Sequence, residues 1–536
     1  MRLFKSLILL ITVLFISVVA INCSGGTITP VNPDDNHDDG NGNGGDNPPP
    51  PPWNNSPSAW VGVLPIQRTY VQGDTVEFDG SQSVDPDNDI VNYEWDFHYD
   101  DTSFDVELSG PKLSYDLPSF GSVIAALRVS DDGDPIRSNI IRNRLLVEPK
   151  GEITNITNGN VDNFLLRRVV NSGDDFYILY SGTYNSQANA YVQRSVDGGE
   201  TWGDPVPIST DAADLVQWGV WIDTSPFGIV VGWMTNTGKV KYAAGTPDGV
   251  NSVVFSSPTQ VGSTSVGYPK PVFYTVACAG DGSYVYFLYL TVDSYSLRLI
   301  RANLTGAEIG TPEEIVIRDD NADRYKFTGA HLAAGPTGRA YVVYSWKSLG
   351  YDNADEMLIQ YVDPSSTDVM GPIRADVGLD GFIFNHDPYV IVNTVNEPIV
   401  IFRTTGIYQG GKDVALCVSD GDPPVFRTTI RANDTLNGDT LSAQNSPSIA
   451  IDQDYGHVWV AFEDFREKNK ISQAYLTLFD DQYSTLLPDF DISDDPSLIY
   501  SDINPQVCIS SGLQKTLVVV WERNGTDIVA YHAKHN

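Results

Sequence analysis

The sequence predicts an all-β chain whose C-terminal two-thirds form a β-propeller of seven blades. Three observations carry this. First, one apolar strand recurs, starting at Phe176 (FYILYS), Gly228 (GIVVGW), Tyr284 (YVYFLY), Ala340 (AYVVYS), Pro398 (PIVIFR), His457 (HVWVAF) and Thr516 (TLVVVW), at intervals of 52, 56, 56, 58, 59 and 59 residues. Second, the clearest unit, from Asn445 to Arg466, reads as a hairpin: Pro447 to Ile451 alternates into the turn Asp452-Gln453-Asp454-Tyr455-Gly456, and His457 to Phe462 leaves it. Third, the 536 residues include 46 glycines, 27 tyrosines and 10 tryptophans but only 4 methionines, a turn-rich β composition without helical heptads. A unit of this length holds about four short strands, one propeller blade. A blade cannot bury both faces alone, so neighbours must stack around an axis, and second strands covered on both sides read as continuous apolar runs.

The charge balance, 33 basic against 69 acidic residues for a net −36, argues against nucleic acid or an anionic membrane surface as a partner. Solubility outside the cell is the plainer meaning of such a surface.

In chain order, residues 1–22 carry Arg2 and Lys5, then the apolar run Leu7 to Ile21, the pattern of a secretory signal and short for a span. Ala20-Ile21-Asn22-Cys23 resembles a bacterial lipobox, with Ala20 and Asn22 departing from it, and the resemblance implies a lipidated Cys23. Residues 23–57 then hold a Gly/Asp/Asn-rich flexible half and a stiff five-proline half, a tether that would keep a domain clear of a membrane. The expected location is the bacterial outer membrane or cell surface, with the membrane reached through the lipid alone. Cys278, Cys417 and Cys508 sit in different units, neither a disulfide framework nor zinc spacing, and Cys278 and Cys508, on strands ahead of the turn, read as small buried residues.

Residues 58–148 form a separate unit. Trp95 and Phe97 alternate with charged neighbours, as a strand over a sandwich core requires. Gly73-Asp74-Thr75-Val76-Glu77-Phe78-Asp79-Gly80-Ser81, Asp85-Pro86-Asp87, Tyr93-Glu94-Trp95-Asp96-Phe97 and Leu127-Arg128-Val129-Ser130-Asp131-Asp132-Gly133 resemble the PKD family, which implies an immunoglobulin-like β-sandwich. Some members bind calcium through acidic loops, and Asp85, Asp87 and Asp89 could supply the oxygens. Acidic turns also form for local reasons, so no cofactor is called for otherwise.

The propeller, residues 152–536, carries one further motif. Ser195-Val196-Asp197-Gly198-Gly199-Glu200-Thr201-Trp202 resembles the Asp-box (BNR repeat) of sialidases and related propellers. The resemblance implies a compact outer turn in which Ser195, Asp197, Gly199 and Trp202 are structural and distant from any active face.

Ligand chemistry is expected where the loops into the first strand and out of the second open together. Arg403, Arg466 and Arg523 follow successive copies of the second strand and could converge on one carboxylate. Glu463, Asp464, Glu522, Asp387, Trp346 and Phe465 would share the rim, with His386, Asn445 and Asn504 brought there by Pro388, Pro447 and Pro505. The plainer alternative is that these charges are paired loop tips, repeated because the blade repeats. Leu165-Leu166-Arg167-Arg168-Val169 departs from the arginine-isoleucine-proline pattern of sialidases, and no nucleophile pair stands out. Three readings follow: a surface lipoprotein whose propeller binds a glycan or protein with the sandwich as spacer, a sialidase-like glycoside hydrolase, or a structural envelope protein.

Overall fold

The structure is a computed structural model. It describes residues 55–534 apart from segments 158–160, 185–186, 211–215, 236–237, 262–271, 292–295, 306–307, 320–324, 349–354, 380–383, 406–411, 434–443, 467–471, 494–500 and 512–514, the pair 100–101, and residues 66, 68, 134 and 526. The signal segment, Cys23 and nearly all of the tether lie outside these residues. Among the described residues every regular element is a strand, and no helix is long and apolar enough to cross a membrane.

Two sheets make the sandwich. One orders Gly62–Leu64, Thr75–Asp79 and Lys112–Asp116; the other orders Tyr70–Val71, Ser138–Glu148, Gly121–Asp131, Ile90–Asp96 and Leu108–Ser109. Their inward residues meet around Trp95, which is fully buried and donates its indole N–H to the Gly110 carbonyl at 2.8 Å. Phe78, Phe97, Leu127 and Val129 fill the space around it.

Seven further sheets follow among the described residues, consistent with the seven repeats. Each is an antiparallel meander, and the repeating apolar run is its second strand: Asp175–Tyr184, Gly228–Thr235, Tyr284–Thr291, Ala340–Ser348, Pro398–Thr405, Val458–Asp464 and Thr516–Arg523. The innermost strands are Val161–Ser172, Val216–Ser225, Val272–Cys278, Tyr325–Ala334, Phe384–Val392, Gln444–Ile451 and Asp502–Ile509. Each packs on the next, and the last packs on the first, so the ring closes. Closure also rests on strand pairing. The outermost strand of blade 7 is Glu152–Asn155, from the other end of the propeller, paired to Asp527–Lys534 through Val529↔Asn155 and His532↔Glu152. Apolar clusters lie between adjacent blades, as stacking requires.

Sandwich and propeller belong to one compact unit, Asn54–Asn536. Phe120 of the sandwich is buried edge-on against Trp459 of blade 6, with ring centroids 5.6 Å apart. The Tyr531 hydroxyl donates to the Pro149 carbonyl at 2.7 Å, and Gln72 Nε2 donates to the Lys534 and Pro118 carbonyls, each at 2.8 Å.

Candidate functional site

Every innermost strand breaks register near its start. The shifts fall at Leu166/Arg168, Trp218/Val220, Phe273/Thr275, Phe327/Gly329, His386/Tyr389, Asn445/Ser448 and Ile503/Gln506. Such bulges re-aim side chains, and here all seven do so around one axis. In blade 2 the bulged residue is Gly219, at φ 58, where glycine carries no penalty. In blades 5, 6 and 7 the left-handed position is held by Asp387 (φ 53), Ser446 (φ 47) and Asn504 (φ 56), each directly ahead of a proline. A non-glycine residue there, before proline, costs about 1–3 kcal/mol and persists only when neighbours over-determine it. They do: the Asn504 amide donates to Glu463 Oε1 at 2.7 Å and its side chain donates to the Leu166 carbonyl at 2.8 Å, while Asp387 pairs with Arg403 at 3.1 Å.

Inside this ring lie two cavities along the axis that share Tyr389. The outer one, about 440 Å³, is walled by Trp221, His331, Pro388, Tyr389, Pro447 and Gln506, with Asp387, Ser446 and Asn504 at its edge. The second, about 290 Å³, lies toward the far ends of the innermost strands and is reached by Arg168, Asp223, Cys278, Gln453 and Cys508. Three residues that line the outer cavity each carry a buried polar atom with no hydrogen-bond partner: Trp221 Nε1, His331 Nε2 and Gln506 Oε1. The His331 ring stacks on Tyr389 at 3.9 Å and meets Trp221 edge-on at 5.2 Å. The Arg168 guanidinium lies 5.1 Å from the centre of the Trp221 ring and 5.3 Å from that of Tyr389.

Burial, and then the Arg168 charge, hold His331 well below the ordinary imidazole range, so the ring is neutral. The Val390 amide donates to its Nδ1 at 3.2 Å, so the ring proton sits on Nε2. Burial raises the Asp223 carboxyl against the pull of Arg168 and of the Cys278 amide, which donates to it at 2.8 Å. Burial also raises the Cys278 thiol and pushes that of Cys508 up to about 12. Both are inert thiols rather than nucleophiles, as small buried residues should be.

The structure places the sequence-predicted residues differently from one another. Relative to the prolines, Arg403, Glu463 and Glu522 are the equivalent set: each lies opposite the residue two places before Pro388, Pro447 or Pro505. Arg523 corresponds instead to Asp464 and Thr404, and Arg466 lies two residues beyond Asp464. The three arginines therefore do not occupy one repeated position, and none of them lines either axial cavity. Each is engaged by a carboxylate of its own blade: Arg403 by Asp387, Arg466 by Asp464 and Asp489, and Arg523 by Asp502 at 2.9 Å. The equivalent set reaches across to the next blade. Arg403 donates to Asn445 Oδ1 at 3.1 Å, Glu463 accepts the Asn504 amide, and Glu522 accepts the Leu166 amide at 2.7 Å. Glu463, Asp464 and Glu522 are all buried. Trp346 lies under the Arg318 guanidinium, 4.5 Å away, outside both cavities, and His386 pairs in register with Arg403. Of the residues expected on this face, Asp387 and Asn504 line the outer cavity.

Sequence reasoning missed Trp221, His331, Gln506 and Arg168. A signal existed: a polar or aromatic residue interrupts otherwise small and aliphatic inner strands, as in Val220-Trp221-Ile222 and Ala330-His331-Leu332.

The Asp-box residues form the turn between the third and fourth strands of blade 1. Asp197 Oδ1 accepts the Ser195 hydroxyl at 2.8 Å and the Thr201 amide at 2.9 Å, the Ser195 Oγ accepts the Gly199 amide at 2.8 Å, and the Trp202 indole donates to the Gly199 carbonyl at 3.0 Å. An added Cβ at Gly199 would lie 3.3 Å from His532 and Val518, so the turn packs on blade 7, away from the axis.

In the sandwich, ligand atoms of Asp85, Asp87 and Asp89 lie within 4.8 Å of one another. Asp85 Oδ2, Asp89 Oδ1 and the neighbouring Asp131 Oδ2 are buried without partners. Burial, and then the Asp85 carboxyl, raise Asp89. Oxygen-only donors with uncompensated charge suit a hard cation such as calcium.

Residues 59–141 match the family model of the PKD domain. No curated protein matches the chain. Among solved structures it is similar to a protein of unknown function from Dyadobacter fermentans (10% identity, 72% of this chain and 98% of that one, TM-score 0.43). It is also similar to the NanB sialidase of Streptococcus pneumoniae (13% identity, 90% and 93%, TM-score 0.37) and the Cps50 propeller domain of Myceliophteria thermophila (9% identity, 71% and 99%, TM-score 0.41). At these scores the likenesses decide nothing about activity. By its own sheets and the matched segment, the chain is a PKD-type sandwich followed by a β-propeller.

Proposed function

We propose that this protein is a surface-tethered binding protein whose propeller takes a glycan or protein ligand at the axial mouth, with the docked sandwich as a rigid spacer. The observation that carries this reading is the outer cavity, lined by residues of blades 2, 4 and 7 that each hold a buried polar atom without a partner. Most glycoside hydrolases need two carboxylates flanking the bond, whereas sialidases use a tyrosine nucleophile. Among the described residues Asp387 is the single carboxylate lining that cavity and is paired with Arg403, and burial pushes the hydroxyl of Tyr389, the tyrosine that lines it, up to about 12. Binding is therefore favoured over a hydrolase. The joint between Phe120 and Trp459 supports a spacer that holds its angle rather than a loose bead.

The protein reaches its membrane through a lipid on Cys23, in this reading. Replacing Cys23→Ser should abolish labelling by a fatty-acid probe and shift the protein to the aqueous phase in detergent partitioning; unchanged labelling would remove the anchor. The function itself is tested with the full-length protein in detergent on a glycan array, beside a panel of chromogenic glycosides. Saturable binding without turnover is expected. Release of chromophore at enzyme-like rates would replace this reading by the hydrolase.

A further inference from the structure

Resting on the reading of the axial mouth as a ligand site, we infer that it takes a neutral sugar ring, held through its hydroxyls by Trp221, His331 and Gln506, and that it discriminates against a carboxylate. The three unpartnered atoms differ in kind. The Trp221 indole can only donate. His331 accepts the Val390 amide at Nδ1, so its Nε2–H is a donor as well. Gln506 Nε2 donates to the Pro505 carbonyl at 3.1 Å and to Asn504 Oδ1 at 3.4 Å; this fixes the amide and leaves Oε1 as an acceptor. His331 is 4% exposed and Gln506 6%, so two of the three unmet atoms belong to residues more than nine-tenths buried, while Trp221 is partly buried.

A ligand that satisfies this set must both accept and donate within one cavity. A carboxylate accepts only, so it would leave Gln506 Oε1 facing another oxygen, with Asp387 at the rim and Asp223 below. An ammonium group donates only and would leave the two N–H groups unmet. Hydroxyl groups do both, and several on one rigid ring can serve three fixed atoms at once. Beside the polar Asp387, Ser446 and Asn504, the wall carries Pro388, Pro447, Leu166 and the Tyr389 ring, which suit the C–H face of such a ring. The Arg168 charge reaches His331, but Arg168 does not itself line this cavity, lies against the Trp221 and Tyr389 rings and also acts on Asp223, so it offers an anion no direct partner. Polar groups built to meet a hydroxyl reject ligands that cannot supply one far more strongly than an apolar wall rejects a misfit.

The test uses full-length protein in detergent and titrations with the methyl glycosides of glucose, galactose, mannose, xylose and arabinose, together with glucuronate and galacturonate. Calorimetry gives affinity, and tryptophan fluorescence reports on Trp221. At least one neutral glycoside should bind saturably, at least about tenfold more tightly than its uronate. Trp221→Phe keeps a ring but removes the donor, and Gln506→Met keeps the volume but removes the acceptor. Each should weaken that glycoside by about tenfold or more, as loss of a buried hydrogen-bond partner implies, with melting unchanged. If one variant fails to fold, the other, from a different blade, carries the test alone. A uronate that binds as tightly as its neutral partner overturns the inference, as does neutral-sugar binding that survives both substitutions. If larger glycans or a protein bind while every sugar of the panel fails, the inference falls and the binding reading stands. If nothing binds, both fall.

Discussion

Replacing Glu522 with alanine should loosen the propeller where its ring closes, by about 2–4 kcal/mol. Glu522 Oε1 accepts the Leu166 amide at 2.7 Å, from blade 7 to blade 1, and both residues are at most 3% exposed. A bond to a charged group contributes about 1.5–3 kcal/mol, and the truncation also strips buried methylenes at about 0.8 kcal/mol each. The cost of holding a carboxylate out of water is relieved at the same time and lowers the sum. Glutamine keeps the shape and a neutral acceptor, so Glu522→Gln should cost only about 1 kcal/mol. Guanidinium unfolding followed by tryptophan fluorescence would compare both with Glu308→Ala, an exposed control. The reasoning is refuted if Glu522→Ala matches that control, or if glutamine is as damaging as alanine. Arg403→Ala and Glu463→Ala test the same idea at the equivalent places in blades 5 and 6. They should lower stability, because each side chain reaches the next blade.

Three further predictions concern the rest of the chain. Trp95→Ala should destabilise the sandwich by about 3–5 kcal/mol, since the side chain is fully buried; calorimetry should show the propeller transition in place, and equal movement of both would mean they fold as one. Calcium should raise the sandwich transition through Asp85, Asp87 and Asp89, with Asp131 beside them, and Asp89→Asn should abolish the rise; an unmoved wild-type transition would remove the site. Burial pulls the Asp197 carboxyl up, but its bonds from Thr201 and Ser195 outweigh this and hold it below the usual range. Its contribution should be fully present above the unfolded value of about 3.9 and fade as pH falls through the lower native one. Asp197→Ala should therefore lower stability at neutral pH, by an amount that shrinks in acid, and leave binding intact; urea midpoints across pH would show a constant gap if this is wrong.

The sequence by itself determined whatever repeats or closes within a few residues. The second strands lie at the positions their apolar spacing marks, because a strand covered on both sides must be apolar throughout. The Asp197 turn and the Trp95 strand are local patterns whose partners lie nearby in the chain. The axial site was not legible in this way. Trp221, His331 and Gln506 share no motif and stand more than 280 residues apart from first to last; only the closed ring of seven inner strands brings them together. Two decisions belonged to the tertiary structure. Pairing across the bulges before Pro388, Pro447 and Pro505 fixed which residues are equivalent, so Arg403 corresponds to Glu463 and Glu522 and not to Arg523. The last blade took its outer strand from Glu152–Asn155, at the far end of the propeller. Both have one physical reason: a periodic sequence records what each strand must bury, whereas which side chains meet at an axis depends on register and closure, which are set by pairing between strands distant in the chain.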